Sequence, residues 1–269
     1  MRPCPLLRRL ARALAACGAA LGAGEALSAT YLPLPGGPFS SVLPQGPNDQ
    51  AAVVTLAPYA MRDEPVTLAE FQRFLAAHPE WRRDRVPKLF ADAGYLAQWR
   101  DADTPPAGAD PRSPITEVSW FAARAYCESE GARLPTWLEW ESAAAADETR
   151  ADARDDPAWQ RRILAWYEHP AGNTRPPVGG PPDVHGLRDL HGLVWEWVDD
   201  WNALFINGDS RTQGDPDKLK FCGAGALSIL RRDSYAVLMR VAFLSSLNAA
   251  DTARSLGLRC VRPAAGATP

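Results

Sequence analysis

The stretch that most limits what this chain can fold into is HPAGNTRPPVGGPPD, His169 to Asp183. It places five prolines and three glycines in fifteen positions. Proline fixes φ and removes a backbone donor, and glycine offers no side chain to pack. No regular element can run through it. Before it the sequence carries helix signals. Beyond it lie short strand-like pieces: Val194–Val198, Phe221–Leu230, Ala236–Val241 and Leu256–Val261. No internal repeat is present and no linker separates two cores. The pattern predicts one loop-rich α+β domain.

The helix signals are local and explicit. Thr67-Leu68-Ala69-Glu70 is a capping box, with Leu68, Phe71, Phe74 and Leu75 following on one face. His78-Pro79 ends that helix. A second begins at Ser119, with Trp120, Ala123 and Cys127 on a shared face and Gly131 as its stop. A third begins at the capping box Thr136-Trp137-Leu138-Glu139 and runs to about Ala146. Arg82 to Arg112 shows no period and reads as a long surface segment. Asp147 to Asp156 reads as charged and exposed. Tyr31 to Gln50 reads as an irregular opening with room for one short strand, and another strand starts near Ala51.

The N-terminus has the form of a leader. Basic MRPCPLLRRLAR precedes the apolar run Ala13 to Ala23, and cuts fit after Ala26 or Ala29. This is a signal-peptide pattern, too short to span a bilayer. Residues 1–29 read as a secretory signal peptide and 30–269 as the mature domain. That domain is expected in the periplasm or outside the cell, with no transmembrane segment once the leader is gone. Leu14-Ala15-Ala16-Cys17 also fits a lipoprotein box, so a lipid anchor stays open as an alternative, as does an uncleaved form. Of five cysteines, Cys127, Cys222 and Cys260 lie beyond the leader. An odd count in an exported chain implies one disulfide and one leftover thiol, and spacing does not say which two pair. The formal charge of −3 excludes a strongly basic nucleic-acid footprint.

Chemical motifs are sparse. There is no HExxH, no Walker loop, no dinucleotide fingerprint and no G-x-S-x-G. His185 and His191 flank Asp189, with Asp183 close by. Imidazole with carboxylate suits a transition metal, but loop histidines with ordinary partners are the plainer reading. Trp195, Glu196 and Trp197 set aromatic faces beside a carboxylate, which suits a peptide or sugar. The plainer reading there is core packing, with Glu196 satisfied by backbone donors.

Several blocks occur in a telling order: GGPF at Gly36, EPVTLAEFQRFL at Glu64, ITEVSWFAARAYC at Ile115 and GARLPTWLEWE at Gly131. HGLRDLHGLVWEWVDDW at His185 and LGLRCVRP at Leu256 complete the set. Together they resemble the formylglycine-generating enzyme (sulfatase-modifying factor) family over about Leu32 to Arg262. The resemblance implies a variant of the C-type lectin fold with little regular structure. It also implies a Cys127–Cys260 disulfide, leaving Cys222 as the odd thiol.

The family oxidises a substrate cysteine to formylglycine with O₂ and a cysteine pair that binds Cu(I), an ion suited to soft thiolates. Ungapped matching back from Cys260 places those two cysteines at Arg231 and Ala236. Copper is therefore not expected at the family's usual site. Ser228, Ser234, Tyr235 and Arg240 match the pocket frame around the pair. Calcium is the family's structural ion, and its loop maps to Asp189, Leu190, Gly192 and Val194. Leu193 stands where the family usually has Asn. The expected function is that of an accessory or binding protein. Its partner would be a protein or peptide, such as a periplasmic redox enzyme, because the exported branch found beside copper nitrite reductases is similar in the FCGAGA spelling at Phe221. The alternatives are an oxidoreductase with other metal chemistry through Cys222, His185 or His191, and the ordinary formylglycine-generating oxidase.

Overall fold

A computed structural model describes residues 29–43, 53–168, 175–202, 204 and 235–264. Four strands open the domain: β1 (Tyr31–Leu34), β2 (Gly37–Ser40), β3 (Val53–Leu56) and β4 (Tyr59–Arg62). The opening thus holds two strands rather than one, and the expected strand near Ala51 is split into β3 and β4. Gly36 supplies the turn between β1 and β2, with φ +66° and the Leu56 carbonyl 2.4 Å from where a Cβ would stand. Only glycine fits there.

The helices are α1 (Leu68–Ala77), α2 (Trp120–Ser129), α3 (Trp137–Ala144), α4 (Pro157–Glu168) and α5 (Tyr235–Ser245). Both capping boxes form: Thr67 with Glu70 and Thr136 with Glu139. Ser119 caps α2. Each cap satisfies amides that the first turn leaves unpaired. Among the described residues three further short strands follow: β5 (Trp195–Glu196), β6 (Leu256–Gly257) and β7 (Val261–Pro263). β4 lies between β1 and β7, antiparallel to both; β2 pairs with β3; β5 runs parallel to β6. The core between these small sheets and α1–α3 is rich in aromatic side chains, including Phe71, Tyr95, Trp137, Trp140 and Trp197. A disulfide joins Cys127 on α2 to Cys260 before β7.

Four expectations need correcting. Ala236 to Val241 is helix, not strand: Val237, Arg240, Val241 and Leu244 are buried at three- and four-residue spacing along α5. α4 was not expected at all. Its start is nonetheless local chemistry, with Pro157 in the first position and the Asp156 carboxylate accepting from the Ala158 amide at 2.7 Å. Asp147 to Asp156 is not simply exposed. Arg154 is buried and donates to the Ser40 carbonyl (2.9 Å) and Glu141 (3.3 Å). Nor is Arg82 to Arg112 a surface segment throughout. Tyr95, Leu96 and Trp99 enter the core, and the Arg83 guanidinium donates to the carbonyls of Leu96 and Trp99. Aperiodic turns bury these residues, so no helix or strand spacing marks them.

Candidate functional site

Three of the family-like blocks, those holding Trp140, Glu196 and Arg259, meet at one buried node. Glu196 on β5 and Arg259 just after β6 are both 0% exposed. The Arg259 Nε donates to the Glu196 carboxylate at 3.1 Å. Its remaining nitrogens donate to the carbonyls of Arg62, Asp63 and Arg188 at 2.6–2.9 Å. The other Glu196 oxygen accepts from the Trp140 indole at 2.7 Å. Glu196 is therefore satisfied by side chains, not by the backbone donors expected from sequence. Gly257 is required beside the node, because a Cβ would stand 2.4 Å from the Ile115 carbonyl. Leu256 and Leu258 are fully buried on either side. The LGLRC block thus combines close approach, apolar packing, a charge pair and the disulfide in five residues.

Arg240 joins this node from α5. Its guanidinium lies 3.4 Å above the Trp140 ring and donates to the Glu196 carbonyl. It is 2% exposed and buried in the core. Of the other expected pocket residues, Tyr235 begins α5, and Ser228 and Ser234 lie outside the described residues, as do Cys222 and Arg231. Ala236 is 6% exposed and packs in a small apolar cluster with Ala153, Trp159 and Ile163 of the α4 region.

Next to that cluster a cleft of about 270 Å³ opens between α4 and residues 181–192. Trp159, Trp166, Pro181, Pro182, Asp189 and His191 are among its walls. The His191 ring stands edge-on to Trp140 and Trp159, and its Nε2–H donates to the Ala144 carbonyl at 2.8 Å. Burial of the ring holds its pKa down at about 4, and Arg240 and Arg162 push the same way. The imidazole is neutral at pH 7. This cleft was missed by reading the sequence. The signal was available in Trp159, Ile163 and Trp166, spaced i, i+4, i+7 after Asp156-Pro157.

Asp189 has a left-handed backbone, φ +58°. Its carboxylate accepts from the amides of Gly179 (2.7 Å) and Gly180 (3.2 Å). The Arg175 guanidinium donates to the Leu193 carbonyl at 3.0 Å, bracing the same loop. His185 lies in the turn that Asp183 caps through the His185 and Leu187 amides. Among the described residues no three His, Cys, Asp or Glu side chains lie close enough to hold a metal ion. No helix among them is long and apolar enough to cross a membrane.

Fold and site together define a loop-rich α+β domain whose frame is held by long-range side-chain ties. A family model described as the sulfatase-modifying factor enzyme 1-like domain matches residues 23–264, and the chain belongs to that family. The match begins inside the segment read as a leader. The chain is 35% identical over 173 residues to the formylglycine-generating enzyme of Streptomyces coelicolor, covering 57% of this chain and 54% of that protein. It is 30% identical over 212 residues to the formylglycine-generating enzyme of Bos taurus, covering 71% and 53%. A hercynine oxygenase of Mycolicibacterium smegmatis is 30% identical over 210 residues, covering 67% and 48%. The chain spans about half the length of these curated relatives. Among solved structures, PvdO from Pseudomonas aeruginosa is similar with a TM-score of 0.46 at 19% identity, covering 87% of this chain and 94% of that one.

Proposed function

We propose that this chain is an exported member of the family that does not generate formylglycine and acts as an accessory protein binding a protein or peptide partner. The observation that carries this reading is the Cys127–Cys260 disulfide. It consumes two of the three cysteines beyond residue 29 and leaves only Cys222. A Cu(I) dithiolate needs two thiols, and one remains. The burial of Ala236 against Trp159 and Ile163 supports the same reading, since that position offers an apolar wall instead of a ligand. A periplasmic redox enzyme such as copper nitrite reductase is the proposed partner. The resemblance of the FCGAGA spelling supports that choice.

The test is direct. Purified chain is incubated with a sulfatase-motif peptide, copper and O₂, and the peptide is weighed by mass spectrometry. Unchanged cysteine is expected; a formylglycine product overturns the reading. The similarity to hercynine oxygenases favours the second reading, an oxidoreductase with other metal chemistry. Copper or iron retained through purification and lost in Cys222→Ala would establish it.

Calcium is proposed as a structural ion at Asp189 with the carbonyls of Leu190, Gly192 and Val194. The Asp189 Oδ1 accepts one glycine amide, and a carboxylate oxygen has two lone pairs. The second suits a hard cation. Such an ion would brace the loop and take no part in chemistry.

A further inference from the structure

The cleft beside α4 carries four acidic side chains in its walls, Asp147, Glu148, Asp183 and Asp189, and one cation, Arg162. His191 adds a neutral acceptor. Its Nε2 faces the Ala144 carbonyl, which can only accept, so the ring proton sits on Nε2 and Nδ1 keeps its lone pair. Among the described residues nothing donates to that Nδ1.

Most of the surrounding charge is already matched. Arg150 is shared between Asp147 and Asp156, and Glu148 pairs with Arg162 at 3.2 Å. The Arg188 guanidinium donates to the Gly180 carbonyl at 2.6 Å. Arg161 is exposed on α4 and is not part of the walls. Arg240 lies over the Trp140 ring and Arg259 is paired with Glu196. Asp189 engages both its oxygens with glycine amides and is the acid of the proposed calcium loop. Asp183 differs. Both amides that reach it, from His185 and Leu187, donate to Oδ1. Among the described residues Oδ2 accepts no hydrogen bond and pairs with no cation. Burial pushes this carboxyl above the ordinary aspartate value, and a bound cation would offset that cost.

The pattern of acceptors says which cation fits. A guanidinium pairs best with a carboxylate that offers both oxygens, and Asp183 offers one. A metal ion needs several ligands together, and no three acids or histidines converge among the described residues. A primary ammonium is compact and donates three hydrogens to single acceptors around it. Asp183 Oδ2 and His191 Nδ1 are two such acceptors, on residues that wall one cleft of about 270 Å³. Trp166, half-buried in the same wall, adds an indole surface that attracts a cation. Ile163, Leu187 and Pro182 offer apolar wall to the alkyl chain behind the charge.

We infer that the cleft between α4 and residues 181–192 binds a primary alkylammonium group, such as a lysine side chain, between Asp183, His191 and Trp166. This rests on the accessory reading above and names the group its partner presents. Free alkylamines carry the same chemistry, so the test has an arm for each source. The full chain, in chelator so that Asp189 holds no calcium, is titrated with Nα-acetyl-lysine amide, with its Nε-acetylated counterpart and with n-butylammonium. Tryptophan fluorescence and calorimetry follow binding. Saturable binding of the lysine amide is expected, weakened about tenfold or more by Nε-acetylation, which removes the charge and two donors. Asp183→Asn keeps an oxygen for the His185 and Leu187 amides but loses the charge, and should weaken binding about tenfold. Trp166→Leu leaves that turn untouched and should weaken binding severalfold. Melting curves show which variants fold; if Asp183→Asn does not, Trp166→Leu and the acetylated probe decide. Tighter binding of the lysine amide than of n-butylammonium assigns the cleft to a protein partner, and the reverse assigns it to a small amine. No saturable binding of either amine overturns the proposal. Equal binding of the acetylated probe, or unchanged affinity in the folded variants, overturns it too. Formylglycine production by a chain that binds the lysine amide would sink the accessory reading alone. A chain that makes no formylglycine and binds neither amine loses the cleft alone.

Discussion

Arg259 donates to Glu196 at 3.1 Å across 63 residues of sequence, and neither side chain is reached by solvent. The Trp140 indole closes the other side of the same carboxylate. Two charges taken out of water are tolerated because every remaining Arg259 nitrogen finds a carbonyl. The pair joins β5 to β6 and both to α3.

Removing one partner should be severe. Glu196→Ala leaves a buried guanidinium without its counter-charge and is expected to cost about 3–5 kcal/mol. Urea unfolding measures it. Arg259→Ala should cost a similar amount, and the double variant less than the sum, because the two residues act as one unit. Additive losses would show that the pair is not coupled.

Thiol content tests the cysteine arrangement. In denaturant without reductant, a chain lacking residues 1–29 should show a single reactive thiol, Cys222, while Cys127 and Cys260 stay bonded. A chain that keeps its first residues should show Cys4 and Cys17 as well. Cys127→Ala with Cys260→Ala should lower stability by about 2–4 kcal/mol, since the bond closes a loop 133 residues long.

His191 makes stability fall in mild acid. Its folded pKa, about 4, lies below the ordinary histidine value of 6.5, chiefly because the ring is buried. Above pH 6.5 neither the folded nor the unfolded state holds the proton, and the contribution is complete. As pH falls from 6.5 towards 4 the unfolded state protonates first, so stability drains away, by up to about 3 kcal/mol. Melting curves from pH 7 to 4 should show a steeper loss in wild type than in His191→Gln. Parallel curves would mean that the ring is solvated.

Calcium binding at Asp189 predicts a melting temperature higher in millimolar calcium than in chelator. The difference should vanish in Asp189→Ala. That variant should also be about 1–3 kcal/mol less stable in chelator, because the Gly179 and Gly180 amides lose their acceptor. A wild-type melting curve indifferent to calcium would leave Asp189 as a backbone tie alone.

Much of the frame was legible. Thr67 with Glu70, Thr136 with Glu139 and Ser119 announced three helices, since each cap is a contact across three residues. The apolar face read on α1 agreed, whereas α2 buries Ala122 and Tyr126 with Ala123 and Cys127 and leaves Trp120 half-buried. Less legible were α4 and α5. Asp156-Pro157 marks the start of α4 plainly, but the charges around it obscured the face of Trp159 and Ile163. Dense apolar residues in α5 suited strand and helix alike, and the burial of Arg240 among them has no local signature. Tyr95, Leu96 and Trp99 reached the core through turns that obey neither period.

What the sequence determined by itself was local: where helices begin, where the prolines forbid regular structure, and which blocks mark the family. The tertiary structure decided which charges became interior and which apolar groups stayed outside. Glu196 and Arg259 are ordinary polar residues until β5 lies beside β6, and Leu89 is an ordinary apolar residue until its turn holds it in water. Capping depends on neighbours a few residues away, whereas burial depends on what the whole chain brings alongside.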